Sequence, residues 1–177
     1  TLTVGAGSVI RAAPGAEIWV EPGGTVQMNG TTSQPIVIVP DNTAAPWGGL
    51  WLHQTTTAAK ASFTATGTLF CCIFSRHREQ QPCVAIGTGA ICSLTDCSLI
   101  GPITAGQLRG AGFSTEEGTL QLTRTSMQRV ITGGEQAGGS VEIHSSALLE
   151  CNEPNTDPDD GTAFDDRDND GIYLVPG

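Results

Sequence analysis

The chain has 177 residues with 23 Gly, 10 Pro, 5% aromatic residues and a single lysine, Lys60, a profile of many short strands joined by tight turns rather than of helices. Its net charge of -10 and pI near 4.5 exclude nucleic acid as a partner, because phosphate binding needs a clustered basic surface. No apolar run approaches the roughly 18 residues that a membrane span requires, so no membrane span is expected.

The first thirty residues hold an eight-residue repeat: Ala6-Gly7-Ser8-Val9-Ile10, Pro14-Gly15-Ala16-Glu17-Ile18 and Pro22-Gly23-Gly24-Thr25-Val26. A turn centred on Gly followed by a short strand is its physical meaning. Gly supplies the positive φ of the turn, and Ile10, Ile18 and Val26 are expected to point inward. Asn29-Gly30-Thr31 fits the glycosylation sequon, but Asn-Gly is equally a common turn pair. Ile36 to Val39 reads as a fully buried strand, residues 40–46 as a loop, and Trp47-Gly48-Gly49-Leu50-Trp51-Leu52 as the next turn and strand. Trp47 and Trp51 could form a sugar-stacking platform, yet in a chain with few aromatics they are expected to cap the core.

A longer period follows. Segments starting at Leu69, Leu94, Leu122 and Ile143 align with apolar residues five positions apart, at steps of 25, 28 and 21 residues. Such steps suit one coil of a stacked solenoid, in which each rung buries its inward face against its neighbours. A Thr-rich β-sandwich is the plainer alternative.

Six cysteines (Cys71, Cys72, Cys83, Cys92, Cys97, Cys151) form no C-x-x-C pair, so disulfides in an oxidising compartment are expected, at least two in number. The alignment puts Cys72 level with Cys97 in adjacent rungs, where a bridge is sterically compatible; Cys71 with Cys83 or Cys92 compete. The charged run Ser75-Arg76-His77-Arg78-Glu79 reads as a solvated loop. His53 and His144 read as ordinary rung residues.

From Glu150 to Asp170 lie nine of the chain's 18 acids, opposed only by Arg167. Within this stretch Asp166-x-Asp168-x-Asp170-Gly171 sets alternating carboxylates on one tight loop, an oxygen-only donor set that suits Ca²⁺. The twelfth position, where an EF-hand has its bidentate Glu, is Gly177, so further ligands are sought nearby. Asp160 and Asp165 are the chosen candidates, with Asp157 and Asp159 also near.

The segment Val20-Glu21-Pro22-Gly23-Gly24-Thr25-Val26, followed by Pro35-Ile36-Val37-Ile38 and Trp47-Gly48-Gly49-Leu50, resembles secreted bacterial proteins of the right-handed parallel β-helix, or pectin-lyase-like, superfamily. Asp166 to Leu174 looks like a loop leading into a rung in that group. The resemblance implies an all-β right-handed parallel β-helix, a solenoid, and a secreted or cell-surface location that includes the periplasm or outer membrane. It carries over no catalytic residue: the family's enzymes use an acidic row completed by a basic residue or a Gly-His-Gly element, which is absent here.

The expectation is therefore one β-helix domain over residues 1–177, with capping rungs at 1–53 and a calcium loop at 152–171. A chain beginning at Thr1 without Met is expected to be processed or trimmed, with further rungs or another chain beyond Gly177. The expected function is a non-catalytic extracellular or cell-surface structural or binding module stabilised by Ca²⁺ and disulfides, its partner an extracellular polysaccharide or glycan. The rivals are a polysaccharide lyase or glycoside hydrolase, and an adhesin whose Thr-rich segments Thr55-Thr56-Thr57 and Thr64-Ala65-Thr66 recognise a glycan or ice.

Overall fold

In a computed structural model, residues 1–42, 47–53, 59–71, 83–101, 112–130, 134–149 and 173–174 are described. Among them the structure is all β, with no helix. The strands come in triplets along the chain. The first three triplets are β1 (Leu2–Gly5), β2 (Val9–Ala12), β3 (Glu17–Val20); β4 (Thr25–Asn29), β5 (Ile36–Pro40), β6 (Gly49–Leu52); and β7 (Ser62–Thr66), β8 (Thr68–Cys71), β9 (Val84–Ile86). The last three are β10 (Ile91–Thr95), β11 (Ser98–Ile100), β12 (Phe113–Thr115); β13 (Thr119–Thr123), β14 (Ser126–Gln128), β15 (Glu135–Gln136); and β16 (Ser140–His144), β17 (Ala147–Leu149), β18 (Tyr173–Leu174). First, second and third members of the triplets form three six-stranded sheets, here sheets A, B and C, in which every neighbouring pair runs parallel. This arrangement is consistent with a parallel β-helix.

The eight-residue repeat turns out to be three successive sides, β2 and β3 of the first triplet and β4 of the second. Its turns close with Ser8 N–H on Gly5 O, Ala16 N–H on Ala13 O and Gly24 N–H on Glu21 O, and Gly7, Gly15 and Gly23 take φ of +75°, +69° and +79°. Proline at the second position and glycine at the third is the type II signature, so each octad is one strand and one corner. Ile10 and Ile18 are partly buried against the core and Val26 is buried, as expected. The strand stacked on Val26 carries Leu2, not Ile18.

Inward positions alternate with outward ones along every strand, and the inward ones stack into columns such as Val26, Phe63, Cys92 and Leu120. Phe63, Phe70 and Trp47 fill the middle of the molecule, with Phe70 centred 6.4 Å from Phe63 and 6.5 Å from Trp47. Each ring hides about 150–250 Å², worth about 4–6 kcal/mol at 25 cal/mol per Å². Trp47 is thus a core residue, and its Nε1 donates to Cys71 O at 2.9 Å. β5 differs from the fully buried strand expected: Val37 and Val39 face outward and are half-exposed, because sheet B has an outer side open to solvent.

Two registers correct the sequence alignment. Leu94 stacks on Ala65 and Leu122, whereas Leu69 stacks on Ser98, so the step of 25 residues compared a sheet B strand with a sheet A strand. The steps of 28 and 21 residues hold, with Leu94 on Leu122 and Leu122 on Ile143. Cys97 accordingly stands level with Thr68; Cys72 lies outside the described residues. No disulfide joins the described cysteines. The expectation of at least two bridges gains no support from them: Cys92 and Cys97 occupy interior columns as small apolar groups, and Cys72 and Cys151 lie outside the described residues. Burial pushes the Cys97 thiol up to about 11 and the Cys92 thiol higher still, so neither is a thiolate at neutral pH. Among the described residues no helix is long and apolar enough to cross a membrane.

Candidate functional site

The outer side of sheet C carries a cluster that the strand alternation creates. In Ile18-Trp19-Val20 and in Leu50-Trp51-Leu52 the flanking residues turn inward, so both indoles turn outward. Pairing of β3 with β6 sets Trp19 directly beside Trp51, with ring centroids 6.1 Å apart and planes 24° from parallel. Since β3 is the edge strand of sheet C, no described strand stands on the far side of Trp19, which is 52% exposed.

Several contacts fix that indole. Its Nε1 donates to Glu17 Oε2 at 2.5 Å, and Glu17 in turn lies over Gly48, where a Cβ would meet its Cγ at 2.4 Å. The backbone N–H of His53 donates to Val20 O at 2.9 Å, which pins His53 one residue beyond β6. Its ring then tilts against Trp19 at 4.5 Å between centroids, and its Nδ1 lies 3.1 Å from Glu21 Oε2. A fixed aromatic loses little rotamer freedom when a ligand stacks on it.

Beside the cluster lies an open cleft of about 270 Å³. It arises because Trp51 and His53 are followed in their columns by the small residues Ala85 and Gly87, and then by Ser114 and Glu116. Trp51 Nε1 is buried, with no hydrogen-bond partner among the described residues. The wall therefore offers the acceptor Glu116, with the exposed indole of Trp19 above Trp51.

Of the residues singled out from sequence, Trp51 and His53 belong to this cluster: Trp51 faces outward instead of capping the core, while His53 stands one residue beyond β6 and packs on the indole of Trp19. Trp19, Glu17, Glu21 and Glu116 were not singled out. The shared apolar-Trp-apolar pattern around Trp19 and Trp51 is the signal that could have found the pair. His144 lies apart on β16, its Nε2 3.9 Å from Glu142 Oε2. Thr64 and Thr66 face outward on sheet A with Ala65 buried between them, whereas residues 55–57 lie outside the described residues. The calcium candidates Asp160, Asp165, Asp166, Asp168 and Asp170, and the run 75–79, also lie outside them. Among the described residues no three His, Cys, Asp or Glu side chains converge to hold a metal ion.

No protein-family model matches the chain, and neither curated proteins nor solved structures give a match.

Proposed function

We propose that this chain is a non-catalytic, extracellular or cell-surface binding module whose sheet C holds a glycan. The scaffold is a right-handed parallel β-helix of the pectin-lyase-like kind, one domain over residues 1–177 with its first rungs at 1–53. The parallel pairing of successive strands in each sheet supports this hand, because crossovers that join such strands are right-handed in about 98% of cases. Asp160, Asp165, Asp166, Asp168 and Asp170 supply the ligands of a structural Ca²⁺.

The observation that carries the glycan reading is Trp19, held by Glu17, Trp51 and His53 and open on its outer side. A pyranose ring has an apolar C–H face that packs on an indole and equatorial hydroxyls that seek acceptors and donors at its rim. Glu17, Glu21 and Glu116 stand where that rim would lie. Sites that recognise small molecules combine such aromatic walls with a few placed polar groups.

The test follows intrinsic tryptophan fluorescence while soluble polysaccharides of neutral, amino-sugar and uronate type are added in turn. A saturable change that Trp19→Ala abolishes is expected with at least one of them. A spectrum unmoved by all three at millimolar sugar would remove the glycan reading. Release of new reducing ends or of unsaturated products absorbing in the ultraviolet would remove the non-catalytic part.

A further inference from the structure

The groups around the sheet C cluster favour one charge type of ligand, an inference that rests on the reading of this surface as a glycan site. Three carboxylates border it. Glu17 accepts from Trp19 Nε1, Glu21 lies against His53, and Glu116 closes the far end of the cleft. No Lys or Arg lines the cleft among the described residues, and the chain as a whole carries a net charge of -10. A uronate stacked on Trp19 would bring its own carboxylate into this field with no arginine or lysine among the described lining residues to receive it. A neutral sugar would gain the stacking and the hydroxyl contacts alone. An ammonium group gains twice, because the negative face of an indole attracts a cation and the flanking carboxylates attract it again.

We propose that the site selects a glycan with free amino groups, an oligomer or polymer of 2-amino-2-deoxyhexose, over its N-acetylated or neutral counterpart and against uronates. The sugar face lies on the open side of Trp19 with its ammonium toward Glu17 and Glu21. The next unit enters the cleft, where it packs beside Trp51 and a hydroxyl donates to Glu116. Binding is non-covalent and no bond changes.

Isothermal titration at low salt with tetramers of glucosamine, N-acetylglucosamine and galacturonate tests this on the whole chain, with a trimethyl-lysine peptide as a fourth arm. The glucosamine tetramer is expected to bind at least about fivefold more tightly than the N-acetylated one, and the gap should shrink as salt is raised. Glu21→Gln and Glu116→Gln should each lower glucosamine affinity about two- to fivefold and narrow that gap. Trp19→Ala should lower it by about tenfold, with a melting temperature near the parent's because the side chain lies on an exposed edge. Equal affinity for the acetylated tetramer, or tighter binding of galacturonate, overturns the charge preference while leaving a glycan site. Absence of binding by all three sugars overturns both readings. Trp19-dependent capture of the trimethyl-lysine peptide, tighter than any sugar, overturns the sugar assignment and makes the cluster an ammonium cage for peptides.

Discussion

A buried polar column runs along the corner between sheets A and B. Thr68, Cys97 and Thr125 are each only 2% exposed, and Ser146 continues the series in the next triplet. Thr125 Oγ1 donates toward Leu94 O at 3.1 Å and Thr123 O at 3.2 Å, and accepts from the backbone N–H of Cys97 at 3.4 Å. Thr125→Val keeps the shape of the side chain and removes only this oxygen. The lost donor bond is worth about 0.5–1.5 kcal/mol, and a buried Cys97 N–H without an acceptor costs about 1–3 kcal/mol more. A loss of about 2–4 kcal/mol is therefore expected, or roughly 4–16 °C in melting temperature for a chain of this length. Urea unfolding should show a lower midpoint with an unchanged slope. Cys97→Thr is the contrasting variant, because it places a hydroxyl between two threonines, and a change within about 1 kcal/mol is expected. Melting of Thr125→Val within a degree of the parent would refute the hydrogen-bond account and leave a column of small residues chosen for size. Equal damage from Cys97→Thr would do the same.

Two further outcomes are expected. Arg124 grips Asp96 through Nε at 2.6 Å and Nη2 at 2.8 Å, and this hydrogen bonding holds the Asp96 carboxyl below its ordinary range. A depressed folded-state value means that the pair's contribution is present above the unfolded carboxylate value of about 3.9 and is lost as pH falls through the folded one. Arg124→Gln should therefore return the NMR titration of Asp96 to the ordinary range, and its stability deficit at pH 7 should disappear in acid; a deficit that persists at pH 2 would show another cause. For the proposed calcium loop, chelation should lower the melting temperature, and Ca²⁺ at a hundredfold excess over Kd should restore about 2.7 kcal/mol. Asp168→Ala should be indifferent to added Ca²⁺, and calorimetry showing no uptake at millimolar Ca²⁺ would end the proposal.

What could be read from the sequence depended on whether a residue's role was local. Gly7, Gly15 and Gly23 announced their turns because a type II corner needs positive φ within two residues of the proline or alanine before it. The burial of Trp47 was likewise legible, because a chain with few aromatics is expected to set them against its core. Register was not. All three sides of a triplet show the same alternation of apolar and polar residues, so Leu69 on sheet B looks like Leu94 on sheet A, and pattern alone cannot say which side a strand occupies. Cysteine chemistry misled for a related reason. An even count invites pairing, but Cys92 shares a column with Phe63 and Leu120, a place for an apolar side chain. The site depends on the stacking of β3 on β6, across the intervening strands β4 and β5. Trp19 and Trp51 were each visible, but their juxtaposition was not.

The two kinds of corner explain why such a site can be both precise and particular to this chain. From the third triplet to the sixth, only one or two residues separate the sheet A strand from the sheet B strand, and Gly67, Asp96, Arg124 and Ser145 all take positive φ there. Each of the first three donates its N–H to the carbonyl that ends the next sheet A strand: Gly67 to Thr95, Asp96 to Thr123 and Arg124 to His144. This repeated bond, with the polar column beneath it, locks successive triplets in one register. The stretches from sheet B to sheet C are longer and less uniform: twelve residues in the third and fourth triplets (72–83 and 101–112), six in the fifth (129–134) and 23 in the sixth (150–172). A locked corner keeps outward columns aligned whatever happens at the variable one. Trp51, Ala85 and Ser114 can therefore line one cleft although the chain between them is free to diverge. The acidic stretch, with its proposed Ca²⁺ ligands, falls in the last and longest of these variable connections. Weakening the locked corner should therefore loosen the distant cleft as well as the core, so Thr125→Val is expected to lower ligand affinity on sheet C only where it also lowers the melting temperature.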